Sequence, residues 1–187
     1  MAPVTRYGLL IRGVNVGTAN SLPMVELRSM LEGSGCSEVR TYVQSGNAVF
    51  SSELDERELT QRIERRLAGY MGRPIATTMR TATEFRAIVA GRPFASEIAT
   101  DPRHLAVTFL SEKLSADALR QLTESDFGAE LVHVAGREIY SWHPAGLGRS
   151  SLAQTLTRLP GPGARTTRNW NTVVRLSGMI DEPSAAA

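Results

Sequence analysis

Apolar positions along this chain recur in two alternating rhythms, one of strands and one of helices. Residues 6–11 form a short apolar run bounded by polar residues, which reads as a buried strand. The loop 12–21 follows, with Gly13, Asn15, Gly17 and Asn20. Leu22-Pro23 starts a helix, because proline suits a first turn, and Met24, Leu27, Met30 and Leu31 recur at helical spacing before Gly33 or Gly35 stops it. Residues 38–43 and 48–52 read as two strands turned around Ser45-Gly46-Asn47. Asp55, with Glu58 three residues on, caps a helix whose apolar face is Leu59, Ile63, Leu67 and Tyr70, and Gly72 ends it. A short strand with Ile75, Thr77 and Met79 precedes a capping box, Thr81 and Glu84, that opens a helix carrying Phe85, Ile88 and Val89.

Residues 91–103 hold two prolines and no clear period, so the pattern predicts a plain connection there. The order then repeats. A strand is expected over 104–110. Ser115 caps a helix, with Leu114 and Leu119 spaced as a hydrophobic staple. Residues 130–134 and 138–142 make a hairpin around Ala135-Gly136-Arg137. Ser150 or Ser151 caps a helix with Leu152, Leu156 and Leu159, and Pro160-Gly-Pro-Gly163 breaks the chain before a strand at 164–167. Asn169 caps a last helix with Val173, Leu176 and Ile180 inward, and Trp170 is expected to anchor it in the core.

Two β-α-β-β-α-β units, each followed by a helix, imply an α+β fold of two consecutive ferredoxin-like subdomains. The pattern assigns 1–91 to the first, 104–180 to the second, and 181–187 to a disordered tail.

Composition narrows the class. Hydrophobic residues make up 42% of the 187, enough for a real core, and no apolar run approaches the ~20 residues that a membrane helix needs. The first residues lack the order of a signal peptide, and the lone Cys36 rules out an internal disulfide; both favour a cytoplasmic protein. Cys36 reads as a small buried residue. Net charge is only +2, but its distribution is uneven: 20 of the 21 basic residues are arginine, Lys113 being the exception. No carboxylate lies between Glu138 and Asp181, within 1–25, or within 39–52. Arginine-bearing, acid-free loops favour an anionic partner, with an arginine-rich composition as the plain alternative.

Catalytic templates find little. His104, His133 and His143 lack metal-ligand spacing, one cysteine excludes a zinc cluster, and Ser45 lies in no nucleophile elbow. His143 beside Ser150 is the one base–nucleophile pairing on offer. The loop His143-Pro-Ala-Gly-Leu-Gly-Arg-Ser-Ser151 opens a helix, where free N–H groups and Arg149 suit phosphate or carboxylate, although Gly and Ser before a helix also serve as ordinary caps. No cofactor and no metal are called for.

Five motifs in order, Arg12-Gly-Val-Asn-Val-Gly17, Leu22-Pro-Met24, Tyr42-Val-Gln-Ser-Gly-Asn47, Gly148-Arg-Ser150 and Thr167-Arg-Asn-Trp-Asn-Thr172, resemble the bacterial "domain of unknown function 1697" family. The resemblance runs from Thr5 to Leu176. It implies a small cytoplasmic protein with two ferredoxin-like subdomains, and it implies no activity. The family pattern usually has lysine where this chain has Ser151.

The sequence thus leads to an expectation: a small anionic, phosphate-bearing ligand, with a nucleotide as one candidate, held in a cleft between the subdomains. Arg12, Asn15, Gln44, Ser45, Asn47, Arg149, Ser150, Arg168 and Asn169 would line it. A metal-independent enzyme acting on such a ligand is the first alternative. A structural or oligomeric protein whose polar motifs lock turns and helix ends is the second. Nucleic acid ranks below a small ligand, because aromatics for stacking make up only 6%. No membrane partner is expected.

Overall fold

The computed structural model describes residues 3–15, 21–161 and 163–182. The chain divides into two compact units, Met1–Ala87 with Arg175–Ala187, and Ile88–Val174.

In the first unit the order is β1 (Thr5–Ile11), α1 (Met24–Glu32), β2 (Ser37–Tyr42), β3 (Asn47–Ser52), α2 (Glu56–Met71) and β4 (Thr77–Thr81). The four strands make one antiparallel sheet in the order β2-β3-β1-β4. Side chains alternate across a strand, so Tyr7, Leu9 and Ile11 of β1 share one face. They pack with Leu27 and Leu31 of α1 and Leu59, Ile63 and Leu67 of α2 into a single core. Gly8 lies on the other face, where an added Cβ would collide with the Phe85 ring and touch Ile180. The carbonyls of Met179 and Ile180 accept from Arg40 and Arg6, which satisfies groups that a helix end leaves unpaired.

The second unit repeats the plan with β5 (Leu105–Leu110), α5 (Ala116–Glu124), β6 (Leu131–Ala135), β7 (Glu138–Trp142), α6 (Ser151–Arg158) and β8 (Arg165–Asn169). Its sheet order is β6-β7-β5-β8, again antiparallel throughout. Leu110, Ile139, Ala118, Leu122, Leu152 and Leu156 form the core beneath α5 and α6. Both sheets have the ferredoxin-like strand order, so the α+β reading and the duplicated topology hold. Two further helices, α3 (Ala82–Gly91) and α7 (Trp170–Asp181), follow β4 and β8.

Local signals placed most helix starts. Asp55 accepts from the N–H of Glu58 at 2.8 Å, although the Glu58 carboxylate goes to Arg62 rather than back to the cap. Thr81 and Glu84 make the full reciprocal capping box. Ser115, Ser150 and Asn169 each accept from the N–H three residues on. Trp170 and Cys36 are buried. Two expectations need correcting. The connection 91–103 contains a helix, α4 (Ala95–Thr100); no residue of α4 is buried, so it carries no apolar period to detect. Leu119 is exposed, so it does not complete a staple with Leu114. Helix α7 runs through Asp181, and 183–187 of the expected tail lie outside the described residues.

Candidate functional site

The expected site residues divide between the two units.

In the first unit they gather at the end of the sheet where β1 finishes and β2 turns into β3. The turn is Val43–Gly46 rather than 45–47. The N–H of Ile11 donates to the Gly46 carbonyl at 2.9 Å, and the N–H of Arg12 donates to Ala76 at 3.2 Å, so both neighbouring segments hold the chain leaving β1. Gly46 has φ +72°, and a Cβ there would sit 2.5 Å from Val14 Cγ2 and 3.0 Å from Ile11 Cβ. Glycine is therefore required twice, by dihedral and by space.

Asn15 is the clamp of this end. Its amide donates to the carbonyls of Leu22 at 2.9 Å and Gln44 at 2.6 Å, and its oxygen accepts from the N–H of Leu22 at 2.7 Å. Those bonds hold Asn15 at φ +55°. Asn47 is fully buried and donates to the Ser45 hydroxyl at 2.7 Å and the Tyr42 carbonyl at 3.3 Å. Both asparagines thus hold backbone in place. Arg12, Gln44 and Ser45 remain on the surface. The guanidinium of Arg12 and the side-chain amide of Gln44 have no partner among the described residues. Glu64 of α2 reaches the same end, where its carboxylate accepts from the N–H and hydroxyl of Thr77. Val16 and Gly17 of the Arg12 motif lie outside the described residues.

In the second unit the expected residues lie on the loop after β7 and at the end of β8, which flank the start of β5. Ser150 is buried, and its oxygen caps α6 by accepting from Ala153 at 2.7 Å. Behind it lies a closed polar network. His143, also buried, has Nδ1 at 2.8 Å from Ser150 Oγ and 3.0 Å from Glu130 Oε1, and Nε2 at 2.8 Å from Ser141 Oγ. Glu130 accepts from the N–H of Leu152 at 3.0 Å and the hydroxyl of Ser151 at 2.9 Å. In the neutral imidazole Nδ1–H can point to Glu130 while Nε2 accepts from the Ser141 hydroxyl, which leaves the Ser150 hydroxyl to donate to Glu130. Burial pushes the His143 imidazole below its ordinary pKa against the pull of Glu130. Burial alone would raise the Glu130 carboxyl, but bonds from Ser150, Leu152, His143 and Ser151 outweigh it and bring the pKa to about 2.

Two consequences follow. The expected free N–H groups at the start of α6 are taken, since Glu130 already supplies the anion that a helix N-terminus attracts. The expected pairing of His143 with Ser150 exists as geometry, yet both side chains are buried. Glu130 escaped the sequence reading because it lies 22 residues from Leu152 and carries no local capping signal.

Arg149 is exposed and has no side-chain partner among the described residues. Arg168 is half-buried, and loss of solvent brings its pKa down to about 10. It donates to the carbonyl of Thr167, the residue before it, at 2.9 Å. Arg80 of β4 does the same to Met79 at 2.6 Å. The two arginines hold matching places, since Arg80 pairs with Gly8 of β1 and Arg168 with Val107 of β5. Arg168 is therefore the second copy of a scaffold position, which the sequence reading did not connect with Arg80. Asn169 spends its side-chain oxygen on the N–H of Thr172. No group of His, Cys, Asp or Glu among the described residues has metal-binding geometry.

Comparison with known proteins agrees with the fold. A solved structure, that of a conserved bacterial protein from Streptococcus pneumoniae, matches with a TM-score of 0.80 and 25% identity, over 96% of this chain and 100% of that one. No curated protein matches. The model of the family described as "Protein of unknown function (DUF1697)" matches residues 4–140, which include the first three motifs and end before Gly148. The chain belongs to that family of proteins of unknown function.

Proposed function

We propose that this protein binds a small anionic, phosphate-bearing ligand at the first unit's loop end, with Arg12, Gln44 and Ser45 as its contacts. The observation that carries the reading is the state of Arg12. Arg40, Arg62, Arg86, Arg103, Arg120 and Arg175 each meet a carboxylate of this chain. Arg12, like Arg28, Arg57, Arg65, Arg92, Arg149 and Arg158, is exposed and meets none among the described residues; its distinction is its place at the edge of a turn that Asn15 and Asn47 hold in position. A guanidinium offers paired donors that match phosphate or carboxylate, and a rigid support lowers the ordering cost of binding. These contacts include no histidine, carboxylate or thiol, so the reading is binding and orientation rather than proton transfer.

The competing reading is structural, and the engagement of Asn15, Asn47, Ser150 and Asn169 with backbone favours it. Thermal denaturation at matched ionic strength separates the two. Inorganic phosphate and a nucleoside monophosphate should raise the melting temperature, and a ligand at 100 times its Kd stabilises by ~2.7 kcal/mol. Arg12→Ala should remove the rise, and Arg149→Ala measures what the second unit adds. A chain that responds to neither compound, or whose response survives Arg12→Ala, refutes this site and leaves the polar motifs as locks of the fold.

A further inference from the structure

Among the described residues, four other than glycine hold positive φ: Asn15, Glu38, Val43 and Arg92. Three have an evident reason. Asn15 is fixed by its three side-chain bonds. The Glu38 carboxylate accepts from the Ser51 hydroxyl at 2.6 Å. Arg92 directly follows α3, where a left-handed residue commonly ends a helix. Val43 has no such reason. At φ +48° a β-branched side chain is strained, and turns at this dihedral ordinarily use Gly, Asn or Asp. Its side chain contributes little to the core, being 54% exposed. Strand propensity does not account for it either, because position 43 lies in the turn. In the second unit the corresponding turn has only a glycine, Gly136, at positive φ.

A strained apolar residue held outward from a clamped turn is what a ligand contact looks like before its ligand arrives. The turn carrying it also carries Gln44 and Ser45, and Gly46 of the same turn packs against Val14 and Ile11 on either side of Arg12. We propose that Val43 is an apolar contact for the body of the ligand, so that the anion taken at this end carries a hydrocarbon or ring face next to its charged group. The inference rests on the anion-binding reading above and narrows it: a free inorganic anion would leave Val43 exposed, whereas an aryl or nucleoside phosphate would cover it.

The experiment compares inorganic phosphate with phenyl phosphate by titration calorimetry on the full chain. The wild type should bind phenyl phosphate about tenfold more tightly, the size expected for covering the exposed part of one valine and a ring face. Val43→Asn places a residue that tolerates this dihedral, so it should melt at a higher temperature while losing most of the preference for the phenyl ester. Val43→Thr keeps the branched shape and its strain; it should melt near the wild type and lose part of the preference. Equal affinities for the two compounds, or a preference that survives both substitutions, overturns the role of Val43 and leaves the anion site standing. Absence of binding by either compound overturns the anion reading and this one with it.

Discussion

The two units leave their first strands in the same way and then differ. In the first, Ile11 donates to the hairpin at Gly46 and Arg12 donates to Ala76 ahead of β4; in the second, Leu110 donates to the hairpin at Arg137 and Ser111 donates to Ala164 ahead of β8. Apart from the hairpin turns, which differ in length, the backbone is one strand plan used twice. The side chains that it carries are not. Ser111 turns inward and accepts from the N–H of Ala164 at 2.9 Å, and Arg137 donates to the Ser111 carbonyl. In the second unit the side chains of Ser111 and Arg137 are thus bound to backbone at this end. The first places an exposed arginine there, beside a longer turn that holds an exposed, strained valine. A shared scaffold fixes where the chain goes, so differences between equivalent positions show where one copy was free to acquire something else.

The hairpin glycines test that difference most strongly. Gly46→Ala would force a Cβ to 2.5 Å from Val14 Cγ2 in a left-handed backbone, so the loop end must open. We expect a loss of about 3 kcal/mol, combining dihedral strain with overpacking. Gly136→Ala keeps the dihedral penalty but meets nothing closer than the Glu138 carboxylate at 3.7 Å, so about 1 kcal/mol is expected. Equal losses by denaturant titration would mean that the first turn is no more tightly packed than the second.

What the sequence revealed, and what it hid, divides along the range of each interaction. Caps are contacts between residues three apart, and Asp55, Thr81, Ser115, Ser150 and Asn169 were legible for that reason. The core strands were legible because burial writes itself into apolar runs such as 105–110. Gly46 was readable as a turn residue. By contrast, the reach of Asn15 to Gln44 spans 29 residues, and that of Glu130 to Leu152 spans 22. Nothing local marks either, so Asn15 read as a ligand contact and Glu130 only as the start of a hairpin strand. Val43 read as the end of a strand, because its composition argues for β structure and only the backbone shows the left-handed turn. Arg168 reads in the sequence as a ligand contact, and its match to Arg80 shows only in the sheet register and in the bond that each makes to the preceding carbonyl.

The acid response should also divide between the units. The second unit's α6 rests on Glu130 and a buried His143, whereas α2 of the first is capped by Asp55 alone. His143 has its pKa lowered from 6.5 on folding. The unfolded chain therefore gains a proton at this residue that the folded chain resists, and stability falls as the pH drops below 6.5. Glu130, brought from 4.5 to about 2, has the usual sign for a carboxylate: its contribution is complete above 4.5 and is lost as the pH falls toward 2. Melting temperature should thus decline from pH 7 to 5.5. His143→Asn should melt lower at every pH but show a flatter profile across that window. An equally steep decline in the variant would move the acid sensitivity elsewhere.

The smallest expected effect on stability is the most informative about function. Arg12→Ser gives the first unit the residue that the second carries at the matching position. Arg12 has no side-chain partner to lose among the described residues, so stability should change by less than about 0.5 kcal/mol. The reverse change, Ser111→Arg, removes the bond to Ala164 and should cost about 1 kcal/mol. Phosphate response discriminates further. If the end of the first unit is a site, Arg12→Ser loses the phosphate-dependent rise in melting temperature, and Ser111→Arg gains none, because the two-residue turn at Gly136 offers no counterpart to Gln44 and Ser45. Should Ser111→Arg acquire a rise equal to the one lost, a lone surface cation would account for the whole response. The clamped turn would then be architecture, and the difference between the two copies would be one of charge alone.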